Sequence, residues 1–327
     1  MEKYGDLLIF AGNSNLDLAR GITRELNAPL GDIEVGRFSD GEVAVKINDN
    51  VRGTDVFLVQ STCAPCNDNL MELLIMIDAC RRASARRITA VIPYYGYARQ
   101  DKKARGREPL TAKLVANLIT IAGASRMLAM DLHTDQIQGF FDIPVDHLFA
   151  RKTVAECFLA QGLRGDAVVV VSPDVNAVNE AMRLADELDA SLAIIAKRRP
   201  GPNVAQVVEI IGDLEGKVAI MLDDMIDTAG TMVEGARGLM ERGAKEVYGA
   251  ATHAVLSGLA VARLAGCEQI KSVVVSDTIP LPPEKRLEKM QVFSVAPLLA
   301  AAIDHIHRDE SVSSLLTNKR DCAKRGA

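Results

Sequence analysis

The sequence predicts an α/β protein of two similar domains, each a mostly parallel sheet flanked by helices. Three observations carry that expectation. Short runs rich in β-branched residues alternate with amphipathic stretches of helix length, the pattern of strands joined by helical crossovers. The two halves echo each other: 7–30 and 168–192 both read strand, tight turn, helix, and 217–251 repeats the pattern of 56–92. Finally, 327 residues, 48% of them hydrophobic and 25% charged, suffice for two domains with sizeable cores.

The expected strands cover 7–11, 56–61, 88–93, 127–132, 167–172, 192–197, 217–222, 246–252, 272–276 and 292–295. Most are near-continuous apolar runs, as a sheet covered on both faces requires. Helices are expected over 69–85, 111–122, 176–188 and 231–242. Asn69 and Thr111 are candidate N-caps, and Gly243 stands where a helix C-terminal glycine belongs. The long irregular polar stretch at 97–109 has the size of a lid or binding loop. The domain boundary is expected near 148/149, giving domains 1–148 and 149–305, with a terminal helix over 306–327 packing back on the first.

Charge and composition exclude several functions. Against 38 Lys and Arg stand 43 Asp and Glu, a net charge of -5, so the basic excess of a nucleic-acid binder is missing. A local basic pocket for a phosphorylated small molecule remains compatible with that balance. No apolar run approaches the ~18 residues of a membrane span, and residues 1–6 carry no signal-peptide hydrophobic region. The expectation is a cytoplasmic protein with neither nucleic-acid nor membrane partners. Six cysteines are too sparse for a disulfide scaffold. Cys63-Ala64-Pro65-Cys66 has CxxC spacing, but no second pair or nearby histidine completes a zinc site; it reads as reduced thiols in a turn.

The sharpest chemical signal is Met221-Leu222-Asp223-Asp224-Met225-Ile226-Asp227-Thr228-Ala229-Gly230-Thr231. An apolar strand ends in adjacent carboxylates, and a turn of small residues then opens a helix. Backbone N–H groups and the helix dipole there favour an anion, and the hydroxyls of Thr228 and Thr231 add donors. Asp223 and Asp224 can accept from sugar hydroxyls or hold a magnesium ion.

This segment resembles the ribose-phosphate loop of the type I phosphoribosyltransferase fold. Further segments in order are Gly36-Arg37-Phe38-Ser39-Asp40-Gly41-Glu42, Tyr97-Ala98-Arg99-Gln100-Asp101, Met130-Asp131-Leu132-His133, Ser172-Pro173-Asp174, Lys197-Arg198-Arg199-Pro200 and Ser276-Asp277-Thr278. Together they cover nearly the whole chain and resemble the class I, bacterial-type ribose-phosphate diphosphokinases. That resemblance implies two phosphoribosyltransferase type I domains. It also implies magnesium-dependent transfer of the diphosphoryl group of ATP to the anomeric hydroxyl of ribose 5-phosphate. The products are phosphoribosyl pyrophosphate, for nucleotide, His and Trp biosynthesis, and AMP.

Carried over residue by residue, Lys197 and Arg199 match the catalytic basic pair. Phe38, Asp40, Glu42, Arg99, Gln100 and His133 match the ATP side, with His133 and Asp174 as metal-side residues. Asp223, Asp224, Asp227, Thr228, Ala229, Gly230 and Thr231 match the ribose 5-phosphate loop. Relatives assemble as hexamers built from dimers. Arg52, Ser84, Asn117, Gln138, Asp146, Ser311 and Ser313 match the site where inorganic phosphate activates and ADP inhibits.

Three departures stand out. The family's Ser-Pro-Asp-x-Gly-Gly loop is here Ser172-Pro173-Asp174-Val175-Asn176-Ala177. Paired glycines would permit positive φ and close approach of N–H groups to a diphosphate, so the change also admits a weakly active or regulatory paralogue that co-assembles with an active synthetase. Ala229 replaces a glycine, expected to be a mild change. Leu316 replaces a usual Phe in the tail, which predicts weaker ADP inhibition through loss of a stacking ring.

Overall fold

In the computed structural model the described residues are 5–174, 177–198 and 207–316; the side chains of 197, 198, 207, 208 and 316 lie outside the description. The chain divides into two compact units. Unit 1 comprises Met1–Phe149, Thr278–Pro280 and Ser294–Ala327; unit 2 comprises Ala150–Asp277 and Leu281–Phe293.

Unit 1 begins with β1 (Leu7–Ala11), α1 (Leu16–Glu25), β2 (Ile33–Arg37), β3 (Val43–Ile47) and β4 (Asp55–Val59). It continues through α2 (Cys66–Arg82), β5 (Arg87–Ile92), α3 (Thr111–Ala122), β6 (Arg126–Met130) and β7 (Val145–Leu148). Five strands form one parallel sheet in the order β1-β4-β5-β6-β7, while β2 and β3 pair as a separate antiparallel hairpin. All five residues of β4 are buried, as its unbroken apolar run predicts.

Unit 2 adds α4 (Arg151–Leu159), β8 (Val168–Ser172), α5 (Val178–Glu187), β9 (Ser191–Arg198), β10 (Val207–Ile211) and β11 (Val218–Met225). Then come α6 (Gly230–Glu241), β12 (Glu246–His253), α7 (Ala260–Ala265), β13 (Ile270–Ser276) and β14 (Met290–Phe293). The order is β10-β9-β8-β11-β12-β13-β14, with β10 antiparallel to its neighbour. Strand order reverses between β8 and β11. Such a topological switch point opens a crevice outside the carboxyl ends of the two strands, where α/β sheets bind ligands.

The chain returns to unit 1 as α8 (Ala296–His307) and α9 (Ser313–Leu316). Over the described part of the helix expected at 306–327, α8 begins ten residues earlier and ends at His307, with Leu299, Ala302, Ile303 and Ile306 buried, and α9 follows; 317–327 lie outside the described residues. The end of α8 is tied to the foot of the sheet. Arg87 Nε donates to Asp55 Oδ1 at 2.7 Å, its other arm pairs with Asp55 Oδ2, and His307 Nδ1 lies 2.9 Å from that oxygen. Arg87 also donates to the Ile306 carbonyl at 2.8 Å.

Two expected caps are corrected. α2 starts at Cys66, so Asn69 lies inside the first turn, where its side chain donates to the Cys63 carbonyl at 2.8 Å instead of capping. Thr111 is the first residue of α3, and its hydroxyl meets Gln100 Oε1 at 2.5 Å. Gly243 takes φ +91 after α6, as expected. Cys63, buried, and Cys66, half-buried, are not joined in a disulfide. Among the described residues no helix is long and apolar enough to cross a membrane.

Candidate active site

The site in unit 2 is built by the switch point. β8 and β11 pair in parallel with Val168 opposite Val218 and Val171 opposite Met221. The two strands therefore deliver Asp174 and the Asp223–Asp224 pair to the same end of the sheet. The Asp224 N–H donates to Asp223 Oδ1 at 2.9 Å. Burial, then the Asp224 charge, with a further contribution from Asp174, holds the Asp223 carboxyl well above the usual carboxylate range. Asp174, Asp223 and Asp224 thus gather negative charge at this end of the sheet.

After the pair, the chain turns through 226–229 into α6. Ile226 and Leu256 are tied through the Ile226 carbonyl, and the Ser257 N–H donates to the Asp227 carbonyl, both at 2.9 Å. The Ser257 hydroxyl also pairs with the Asp227 carboxylate. Arg263 of α7 donates to the Thr228 carbonyl at 2.8 Å, placing a guanidinium beside the loop. Thr228 is exposed and Gly230 half-buried at the start of α6, so the helix N-terminus is open to an anion. Ala229 adopts φ +60, the left-handed conformation that glycine takes freely and a Cβ resists. The Ala-for-Gly change is therefore a strained backbone position, more than the mild change expected.

Ala177, by contrast, carries no such strain. It precedes α5 with φ -85, and its N–H donates to Asp174 Oδ1 at 3.1 Å. Alanine is fully compatible there, which removes the conformational objection at this position; Asn176 lies outside the described residues. Lys197 lies in β9 with its backbone opposite Val208 in β10, while Arg199 lies outside the described residues.

Unit 1 carries the remaining predicted residues. Phe38, Asp40 and Glu42 form the tip of the β2–β3 hairpin. Phe38 N–H donates to the Glu42 carbonyl at 2.8 Å, Glu42 N–H to Asp40 Oδ1 at 3.1 Å, and Gly41 takes φ +94. The Phe38 ring is 60% exposed at the hairpin tip.

Arg99 and Gln100 follow β5 on a firmly held turn. Gly96 N–H donates to Thr62 Oγ1 at 2.6 Å, and a Cβ at Gly96 would lie 2.3 Å from the Thr62 carbonyl oxygen, so only glycine fits. The Gln100 carbonyl accepts from the Ala112 N–H at 3.2 Å, and Tyr95 Oη donates to the Ala112 carbonyl at 2.8 Å. Arg99 is exposed and acts electrostatically on Cys66, whose thiol burial pushes up and the guanidinium partly brings back.

His133 is exposed just beyond β6, and Thr134 Oγ1 donates to Asp101 Oδ2 at 2.9 Å, tying its loop to the Arg99 segment. Of the remaining predicted residues, the structure brings Arg52 and Ser84 together, with Arg52 donating to Ser84 Oγ at 3.2 Å. Asp146 pairs with Arg126, Gln138 meets His147 at 3.2 Å, and Asn117 lies half-buried on α3. The Ser311 carbonyl lies 3.0 Å from His305 Nδ1, and Ser313 opens α9.

Sequence reasoning missed Ser257, Arg263 and His147. Their partners lie 30, 35 and 15 residues away, and no local motif marks them.

Comparison with known proteins identifies the family. The model of the N-terminal domain of ribose phosphate pyrophosphokinase matches residues 7–123, and that of the phosphoribosyl synthetase-associated domain matches 177–317. The chain is 59% identical over 318 residues to the ribose-phosphate pyrophosphokinase of Caldanaerobacter subterraneus, covering 97% of this chain and 100% of the relative. It is 54% identical over 317 residues to that of Bacillus subtilis, covering 96% and 99%. The crystal structure of phosphoribosylpyrophosphate synthetase from Mycobacterium smegmatis superposes with a TM-score of 0.87 at 46% identity, covering 93% of this chain and 99% of that one. With these matches spanning nearly the whole chain, the chain belongs to the ribose-phosphate pyrophosphokinase family.

Proposed function

We infer that this protein transfers the diphosphoryl group of ATP to the anomeric hydroxyl of ribose 5-phosphate, giving phosphoribosyl pyrophosphate and AMP. The observation that carries this reading is the β11–α6 segment at the switch point. It joins two carboxylates suited to sugar hydroxyls or a hard cation to an open helix N-terminus suited to a phosphate. Asp223 and Asp224 take the ribose hydroxyls, and 227–231 takes the 5-phosphate.

In the reaction the anomeric hydroxyl releases its proton to solvent as its oxygen bonds to the β-phosphorus in line. The bond between that phosphorus and the α,β-bridging oxygen breaks, and AMP leaves. Little covalent work falls to the protein, so positioning and charge neutralisation supply the catalysis. Lys197 and Arg199 neutralise the transferring group, Arg99 clamps the ATP phosphates in a fork and Gln100 supports it. Phe38 packs on the adenine, with Asp40 and Glu42 accepting from its exocyclic amine.

Magnesium fits the donor set. Asp174, Asp223 and Asp224 offer the hard oxygens it prefers, and Asp223's resistance to ionisation marks negative charge a cation would relieve. Among the described residues no three acidic, histidine or cysteine side chains form a complete cage. That suits an ion held by one or two carboxylates plus substrate phosphates. His133, exposed beyond β6, stands with Asp174 on the metal side of this reading, a ring nitrogen being its ligand atom. Bound magnesium would supply Lewis-acid neutralisation of the phosphate oxygens.

The same reading makes the protein a cytoplasmic homo-oligomer, a hexamer built from dimers. The exposed Phe38 hairpin then serves a neighbouring copy, and inorganic phosphate and ADP act at the Arg52, Ser84, Asn117, Gln138, Asp146, Ser311 and Ser313 positions. The Arg52–Ser84 contact supports that assignment.

The test is AMP release from magnesium–ATP with and without ribose 5-phosphate, at ample inorganic phosphate. AMP formation that needs the sugar and disappears in Lys197→Ala supports the reading. AMP release indifferent to the sugar, or unchanged in Lys197→Ala, overturns it.

A further inference from the structure

We propose that His147 is a positioning residue that holds the His133 loop in its working conformation. His147 lies on β7 and is buried. Its Nε2 accepts the N–H of Leu132, the residue immediately before His133, at 2.9 Å. A nitrogen that accepts cannot carry a proton, so the neutral ring bears its hydrogen on Nδ1. On that side Asp135 Oδ1 lies at 3.5 Å and faces the Nδ1 hydrogen as its acceptor, while Gln138 Nε2, 3.2 Å from Nδ1, is itself held by donating to the Asp135 carbonyl at 3.1 Å. The Phe149 ring, 4.2 Å away between centroids and tilted 44°, packs against the imidazole. Asp135 and the Phe149 ring thus hold the imidazole so that one lone pair points at one backbone N–H.

The loop needs this restraint. Asp131 sits at φ +33, where a side-chain-bearing residue is strained and persists only when its surroundings dictate it. Two consecutive amides are anchored to β7 and its histidine: Asp131 N–H donates to the Leu148 carbonyl at 2.9 Å, and Leu132 N–H to His147. On the far side Thr134 is tied to Asp101 of the Arg99 segment. His133 is the exposed residue between these anchors, so its direction is set by His147 on one side and Thr134 on the other.

This inference rests on the reading that His133 contacts the nucleotide, and the experiment separates the two. Steady-state KM for magnesium–ATP and for ribose 5-phosphate is measured in His133→Ala, His147→Leu, His147→Gln and the His133→Ala/His147→Leu double variant, together with amide exchange at Leu132. His147→Phe, which keeps a ring without an acceptor, replaces His147→Leu if the latter fails to fold. Loss of one well-made hydrogen bond predicts about a tenfold rise in KM for ATP in His147→Leu, with KM for ribose 5-phosphate within about twofold. Amide exchange at Leu132 is faster in that variant. His147→Gln, whose carbonyl oxygen can occupy the Nε2 position, restores both readouts, and the double variant is no worse than His133→Ala. An impaired His133→Ala beside a folded but kinetically normal His147→Leu overturns the positioning role alone, as does an additive double variant. A kinetically silent His133→Ala overturns the nucleotide role of His133 and the inference built on it.

Discussion

The Asp224 N–H donates to Oδ1 of Asp223, 2.9 Å away, while the two side chains place a second negative charge beside the first. Because the folded state holds Asp223's proton more tightly than the unfolded chain does, the stability it contributes is present at acid pH and is lost as pH rises through the raised value. Asp224→Asn removes the neighbouring charge, so the variant loses less stability than the wild type as pH rises from the ordinary carboxylate range toward neutrality. Tm measured across that range checks this, and parallel profiles would refute it. Magnesium alone should raise Tm more in the wild type than in the variant.

Ala229 stores strain at φ +60. Ala229→Gly relieves about 1–2 kcal/mol of left-handed penalty and gives back part of it through the greater freedom of glycine in the unfolded chain. A net gain of about 0.5–1 kcal/mol in urea unfolding is expected. A loss of stability would show that the alanine methyl, buried in the unit 2 core, contributes more by packing than its backbone costs.

Asp55 accepts from both arms of Arg87 and faces His307, at the end of the sheet opposite the His133 loop. Asp55→Ala leaves a half-paired guanidinium in a buried setting and should cost about 3–5 kcal/mol. Chemical denaturation reads that loss. The kinetic constants at 25 °C should stay unchanged, and an altered KM for ATP would show that the foot of α8 communicates with the nucleotide side.

Phe38 presents an exposed ring that no core requires. Phe38→Ala should leave stability within about 0.5 kcal/mol, as surface substitutions do, while raising KM for ATP about tenfold through loss of a stacked aromatic. Titration of ATP in the assembled protein decides it; an unchanged KM would remove the ring from adenine recognition.

Much of the architecture was legible because its cause is local. The runs at 168–172 and 218–222 read as strands because they are near-continuously apolar, and all of 168–172 and 219–222 are buried. The order acidic pair, small-residue turn, helix at 223–231 announced an anion site because backbone N–H groups at a helix start are donors whatever surrounds them. The hairpin at 33–47 was not legible as strands. Its residues are half-exposed, and Gly36 and the charged positions break the alternation, so it is held by pairing that no single segment reveals.

What the sequence by itself determined was which segments are strands or helices and which residue types stand at their ends, since dihedral preference and side-chain chemistry act over a few residues. The tertiary structure alone decided that strand order reverses at β8 and β11, bringing Asp174 to the end of the sheet that carries Asp223. It alone decided that Ala177 needs no positive φ whereas Ala229 does, and that His147 faces Leu132. Those facts depend on which distant segments pack together. Burial rewards contacts summed over the whole core, and that sum is not written in any local stretch of chain.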